Sequence, residues 1–220
     1  MLLFNGSIVF NCSFPRMNKW FVVFLFLVGS GFTSCPAQTI ETQKLEILIG
    51  HIQAFHNGHL VHDDQQFHHV KEFPFQFETN KSYVVDSLHF LLGVDSLQHE
   101  LGIVSNGLTP INGMYWAWQS GYIFVKWEGF FQSEKEKEKE KEKEIRRFTF
   151  HLGGFQYPFR CDQNCAISLK KTAPLNSIRL SFEPTEKLIQ FILESDFEIM
   201  SPQPAAVQMM KLFSQCLIVQ

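Results

Sequence analysis

The sequence lacks a strong charge of either sign. Its 220 residues carry 19 Lys and Arg against 22 Asp and Glu, a net charge of −3, with a pI near 6.3. Without a basic excess there is no electrostatic footprint for nucleic acid, and that class of partner is set aside. Long apolar runs are absent too. The best candidate, residues 21–28, falls well short of the roughly 20 residues that a spanning helix needs. The motifs of the common enzyme classes are also missing: no HExxH pair, no phosphate loop, no nucleophile elbow, no pair of carboxylates in a clear cleft context. These absences favour a binding protein over an enzyme. Cysteine is scarce, at five. Cys161 and Cys165 stand four apart and Cys216 is alone near the end. In an oxidising compartment the first two suggest a disulfide, closing a loop between strands. A metal pair at that spacing lacks a second ligand pair. Cys216 reads as a buried thiol.

What is abundant is aromatic. There are 24 Phe, with four Tyr and four Trp, which points to a β-rich fold with an aromatic core. The length suits one domain. Ahead of it, Lys19, the apolar run 21–28 and Gly29-Ser30-Gly31 have the layout of an export signal. Met17 is the expected effective start, since Met17-Asn18-Lys19 is a compact basic region directly before the run. Cleavage has two candidates, one after Ala37 and one before Cys35. The second would leave a lipid-modified Cys35 as the only attachment to a membrane. The expected layout is a signal over 1–37 and one β-sandwich domain over 38–220, located in a bacterial envelope.

Within that domain the apolar pattern alternates with a period of two, the signature of strands with one buried face. Strands are expected over 45–49, 73–77, 88–94, 122–127, 148–152, 167–169 and 178–182. Asn57-Gly58 signals a tight hairpin turn. Residues 59–69 hold many of the nine histidines. Their irregular spacing, interrupted by Asp63 and Asp64, reads as a solvated loop with adventitious affinity for copper, zinc or nickel. Between the strands at 122–127 and 148–152 lies a run of strictly alternating Glu and Lys. Like charges at i and i+4 disfavour a helix there, and residues 133–146 are expected as a charged loop. From Glu186 the period changes to helical, once over 186–192 and again after Pro204. The fold class is therefore all-β: an antiparallel, immunoglobulin-like sandwich with short C-terminal helices.

The chain is organised around Gly113-Met114-Tyr115-Trp116-Ala117-Trp118-Gln119-Ser120-Gly121-Tyr122. In an extended segment Trp116 and Trp118 share one face. Aromatic core at a strand entrance is the first reading of this composition, and a chemically special indole is the alternative. The stretch resembles the central signature of the MbnP-like family, exported bacterial proteins named for a protein of methanobactin copper cassettes. Gly93-Val94-Asp95-Ser96, Lys126-Trp127-Glu128-Gly129, Phe150-His151-Leu152-Gly153-Gly154 and Ile199-Met200-Ser201-Pro202 resemble its other motifs. Trp127 stands where the family usually has leucine, and Thr109 where it usually has aspartate.

The resemblance implies a β-sandwich that binds copper in the periplasm. It also implies that a tryptophan is oxidised to kynurenine by a dihaem partner of the MauG, cytochrome c peroxidase-like type. The kynurenine amine then ligates copper beside histidine. On that pattern Trp116 or Trp118 is the modified residue and His151 a ligand. The stretch ahead of Leu45 is short for the family, as if one N-terminal strand were missing, and His51 is the candidate to supply the further donor. The competing reading is a metal-free sandwich serving as a scaffold or surface module.

Overall fold

The computed structural model describes residues 7–9, 38–79, 81–101, 108, 113–116, 121–137 and 140–219. The expected export signal, apart from residues 7–9, lies outside them, as does Trp118. The chain groups into two compact units, Met1–Thr42 with Gly129–Arg147 and Gln43–Glu128 with Phe148–Gln220.

In the smaller unit, β1 (Ser7–Val9) pairs antiparallel with the start of β2 (Gln38–His56), Ile8 opposite Ile40. The strand expected from Leu45 thus begins at Gln38. This unit also holds the outer parts of β7 (Gly121–Lys137) and β8 (Glu140–Gly153). The charged run at 133–146, expected as a loop, is strand on either side of residues 138–139. Glu-Lys alternation keeps the period of two set by the apolar segments before and after it, so nothing in its pattern interrupts an extended backbone.

The larger unit is the β-sandwich. Its large sheet runs in the order β11 (Glu198–Ile199), β8, β7, β2, β5 (Val84–Leu92), β9 (Gln163–Pro174). In addition β3 (His59–Val70) pairs with β2, and β6 (Tyr115–Trp116) with β7. A second sheet contains β12 (Leu217–Val219), β10 (Arg179–Phe182) and β4 (Phe75–Gln76). Strand β11 is parallel to β8, whereas β2, β3, β5 and β9 pair antiparallel. Asn57 and Gly58 form the expected turn between β2 and β3, with φ of 51° and 76°, the left-handed pair that a tight hairpin needs. The histidine-rich stretch after that turn, expected as a loop, is β3, because pairing with β2 supplies the backbone partners that its composition does not advertise.

Two helices follow where the period changed, α2 (Glu186–Glu194) and α3 (Pro204–Ser214), after a short α1 (Ser96–Leu101). Thr185 Oγ1 caps α2 by accepting from the Leu188 amide at 3.4 Å, and Pro204 occupies the first turn of α3. The core between the sheets centres on Trp127. Its ring meets Phe148 at 5.1 Å, Phe182 at 5.2 Å and Phe213 at 6.1 Å, all edge-on.

Cys161 and Cys165 are buried free thiols, not a disulfide. The chain between them is nearly extended, and four residues at about 3.3 Å each separate them well beyond a disulfide's reach. Burial pushes their thiols up to about 12 and about 11, so neither is a nucleophile at neutral pH. Cys216 is the buried thiol expected, its Sγ donating to the Leu212 carbonyl at 3.2 Å.

Candidate functional site

The central signature lies on one face of the large sheet, and its path is set by backbone pairing. Tyr115 pairs with Tyr122 and Trp116 with Gly121. The Ile123 amide donates to the Met114 carbonyl at 3.0 Å. Lys126 Nζ donates to the Gly113 carbonyl at 2.7 Å, tying the entrance of the signature to the middle of β7. Trp116 is buried, and its ring lies over Gly153. A Cβ at Gly153 would collide with the Tyr122 carbonyl and stand 3.0 Å from the Trp116 ring. The first glycine of the Phe150–Gly154 motif is therefore required by close approach. Gly153 lies two residues beyond His151, on the same side of β8, so the Trp116 ring and His151 occupy neighbouring positions along one strand face.

His151 is largely buried, and its Nε2 lies 2.9 Å from Glu128 Oε1 on the adjacent strand. Burial holds the imidazole below its ordinary pKa, against the pull of Glu128. The hydrogen bond from His151 in turn holds Glu128 below the usual carboxylate range. The pair is thus a neutral imidazole donating from Nε2 to a carboxylate, with Nδ1 carrying the lone pair. A second pair of the same kind stands on β3 and β2: His69 Nε2 lies 3.0 Å from Glu46 Oε2. Burial lowers His69 likewise, and its Nδ1 is buried without a hydrogen-bond partner. Burial pushes Glu46 up, but His69 and Lys44 pull it below its ordinary value. Lys126, lowered by burial, is an electrostatic neighbour of both histidines. Two imidazoles on β3 and β8 thus flank the charged groups Glu46, Lys126 and Glu128 on β2 and β7.

His51 is elsewhere. It sits at a bulge in β2 with φ of 51°, a left-handed conformation uncommon outside glycine. Its Nε2 lies 2.8 Å from Asp95 Oδ2 and its Nδ1 3.2 Å from Gln65 Oε1, and its ring stands edge-on to Phe67 at 5.1 Å. It lines a cleft of about 450 Å³ with Gln53, His89, Asp95 and Asn164. None of the partners of His51 is shared with His151. Among the described residues no three His, Cys, Asp or Glu side chains converge on one point as a metal requires. The indole of Trp116 is a donor and cannot ligate. The side chains as they stand do not form a finished copper site.

Asp95, read only as part of a motif, has a physical role. One oxygen holds His51 and the other accepts from the Gln98 amide at 2.8 Å, capping α1. The Asp95-x-x-Gln98 spacing was a capping-box signal available in the sequence. Lys126 and Glu128 were visible only as part of a motif and His69 only within the histidine-rich run; Glu46 had no signal, and it is strand register that brings the four together.

A family model described as MbnP matches residues 18–197. No curated protein and no solved structure matches the chain.

Proposed function

The chain belongs to the MbnP family, and we propose that it is an exported copper-binding protein whose site is completed only when a tryptophan of the central signature is oxidised to kynurenine. Opening the pyrrole ring turns a donor-only N–H into an aryl amine with a lone pair. Aryl amine and imidazole together suit copper better than they suit magnesium or calcium. One observation carries the reading: the Trp116 ring packs over Gly153, beside a neutral His151 whose Nε2 is held by a carboxylate. Ligating histidines commonly carry such a carboxylate on the ring nitrogen away from the metal. Trp116 or Trp118 would supply the amine and His151 the imidazole. The incomplete donor set described above is what an unmodified chain should show on this reading. A dihaem enzyme of the MauG type is the proposed maturing partner, the envelope the proposed location and binding, not turnover, the proposed role.

The test is peptide mapping and copper titration of protein purified from its native host, beside the same chain made without the maturing enzyme. Native protein should carry kynurenine at 116 or 118 and bind a copper equivalent that His151→Ala abolishes. The chain made without the enzyme should lack that His151-dependent equivalent. Native protein that carries only tryptophan, and whose copper affinity ignores His151, would overturn the reading. The metal-free scaffold then stands.

A further inference from the structure

Strand β3 breaks the rule of apolar inside and polar outside at three positions. Its register sets His62 opposite Ala54, Asp64 opposite Ile52 and His68 opposite Ile49. Directly paired residues share a face, and Ile49, Ile52 and Ala54 are core residues with 0–2% exposure. Two imidazoles and a carboxylate thus point to the side of the sheet that packs inward. They are not sealed in: Asp64 and His68 keep 27% and 30% of their side-chain surface exposed, so they line an opening on that side of the sheet.

They line a cleft of about 320 Å³ together with Phe75, Phe77, Leu175 and Glu78. Phe75 belongs to β4 of the second sheet, so the cleft is bounded by both sheets. A register shift in β3 shapes the polar side. Pairing steps from Phe67 opposite Gly50 to Asp64 opposite Ile52, so three residues on β3 answer two on β2. Such bulges re-aim side chains. Here the bulge folds His68 back on Asp64, Nε2 to Oδ2 at 2.8 Å, although a regular strand would hold residues four apart at about 13 Å. His62 is two residues from Asp64 on the same face, the spacing at which alternate strand residues chelate one ion. Its ring leans on Tyr83 at 5.5 Å.

We propose that His62, Asp64 and His68 form a second metal site, for a borderline divalent cation such as Zn(II) or Cu(II), which staples the open edge of the sandwich. Two imidazoles and one carboxylate match that class of cation and suit Mg(II) or Ca(II) poorly. Asp64 and His68 already meet; the His62 ring rests on Tyr83, so the three donors do not yet converge, and that ring must turn from Tyr83 to complete the set. Glu78 or water takes the fourth position. Nothing in this site depends on a modified tryptophan, so its success or failure is separate from that of the function proposed above.

The experiment uses the full chain made without any maturing enzyme, and the probes are Zn(II) and Cu(II) alone. Calorimetry should show one tight equivalent. His62→Gln and His68→Gln should each weaken it at least about tenfold, while His89→Gln in the other cleft should not. Saturating Zn(II) should raise the melting temperature of the parent and not that of the two variants. Electron paramagnetic resonance of the Cu(II) form, which needs no variant, should show coupling to two imidazole nitrogens. Affinity unchanged in both variants, or a Cu(II) spectrum without two coupled nitrogens, would overturn the proposal.

Discussion

At the scale of single residues, His99 on α1 is, among the described histidines, the one whose charge the fold resists most. Its ring stacks on Phe155 at 4.1 Å and stands edge-on to Tyr122 at 5.1 Å, and its Nε2 is buried without a partner. Burial drives its pKa from 6.5 down to about 4, with Asp95 and Asp162 pulling weakly the other way. The sign of the linkage follows. Between those two values the unfolded chain binds the proton and the folded chain does not, so stability rises with pH across that window and falls on acidification. Allowing for partial solvent access, the loss between pH 7 and pH 4 should be on the order of 2 kcal/mol from this group. His99→Phe keeps the stack on Phe155 and should remove that part of the pH dependence. Denaturant unfolding of parent and variant at both pH values measures it, and parallel losses would show that His99 is not the group responsible. The sequence made His151 visible, through the Phe150–Gly154 motif. It hid His99 and His69, because what makes them unusual is burial among residues far away in the chain. His51 shows the opposite limit: chosen for its position, it is engaged by Asp95 and Gln65 in a different cleft.

Among the elements, strands with an apolar alternation were legible and those without it were not. The segments of β5 and β7 that carry Leu88 and Phe124 were found as short apolar runs and that of β8 with Phe150 from its period of two, and α2 and α3 from the change of period at Glu186 and the proline at 204. Strand β3 was missed because its histidines and aspartates hide the alternation; the Asn57-Gly58 turn, correctly read, was the better indicator that a partner strand must follow. The outer hairpin of β7 and β8 was missed for a related reason, since a charged alternation carries no hydrophobic signal. That hairpin belongs largely to the smaller unit, while Trp127, Phe148 and Phe150, which face the core, belong to the larger. Replacing residues 134–144 by a two-residue Asn-Gly turn should therefore leave the sandwich intact, shifting its thermal midpoint by less than about 4 °C. Differential scanning calorimetry of the shortened chain checks this, and a large fall would mean that the run supports the body of the fold.

The larger unit is held by contact between its two sheets, and Trp127 is a centre of that contact. The residue comes from β7 of the large sheet. It meets Phe148 from the neighbouring strand, Phe182 from β10 of the second sheet and Phe213 from α3, while Phe182 and Phe213 stack on each other at 4.5 Å. Trp127, Phe148 and Phe213 have no exposed surface. The sequence placed Trp127 on a strand but could not say what surrounds its indole. The structure answers with two phenylalanines from elements more than 50 residues away, a pairing that alternation within a strand cannot reveal. It follows that leucine at this position should not be accepted without loss. The surrounding rings are arranged for an indole, and the smaller side chain leaves a void whose lining loses its dispersion partners. Trp127→Leu should cost about 2–4 kcal/mol and Trp127→Ala about 3–5 kcal/mol, read from denaturant midpoints at an unchanged m-value. The double variant Trp127→Leu with Phe213→Trp offers the volume back from α3. If the cluster joins sheet to sheet as described, the second change should recover part of the first loss, by an interaction of about 1 kcal/mol or more. Strict additivity of the two changes would mean that Trp127 and Phe213 share no packing, and that the second sheet is fixed by other residues.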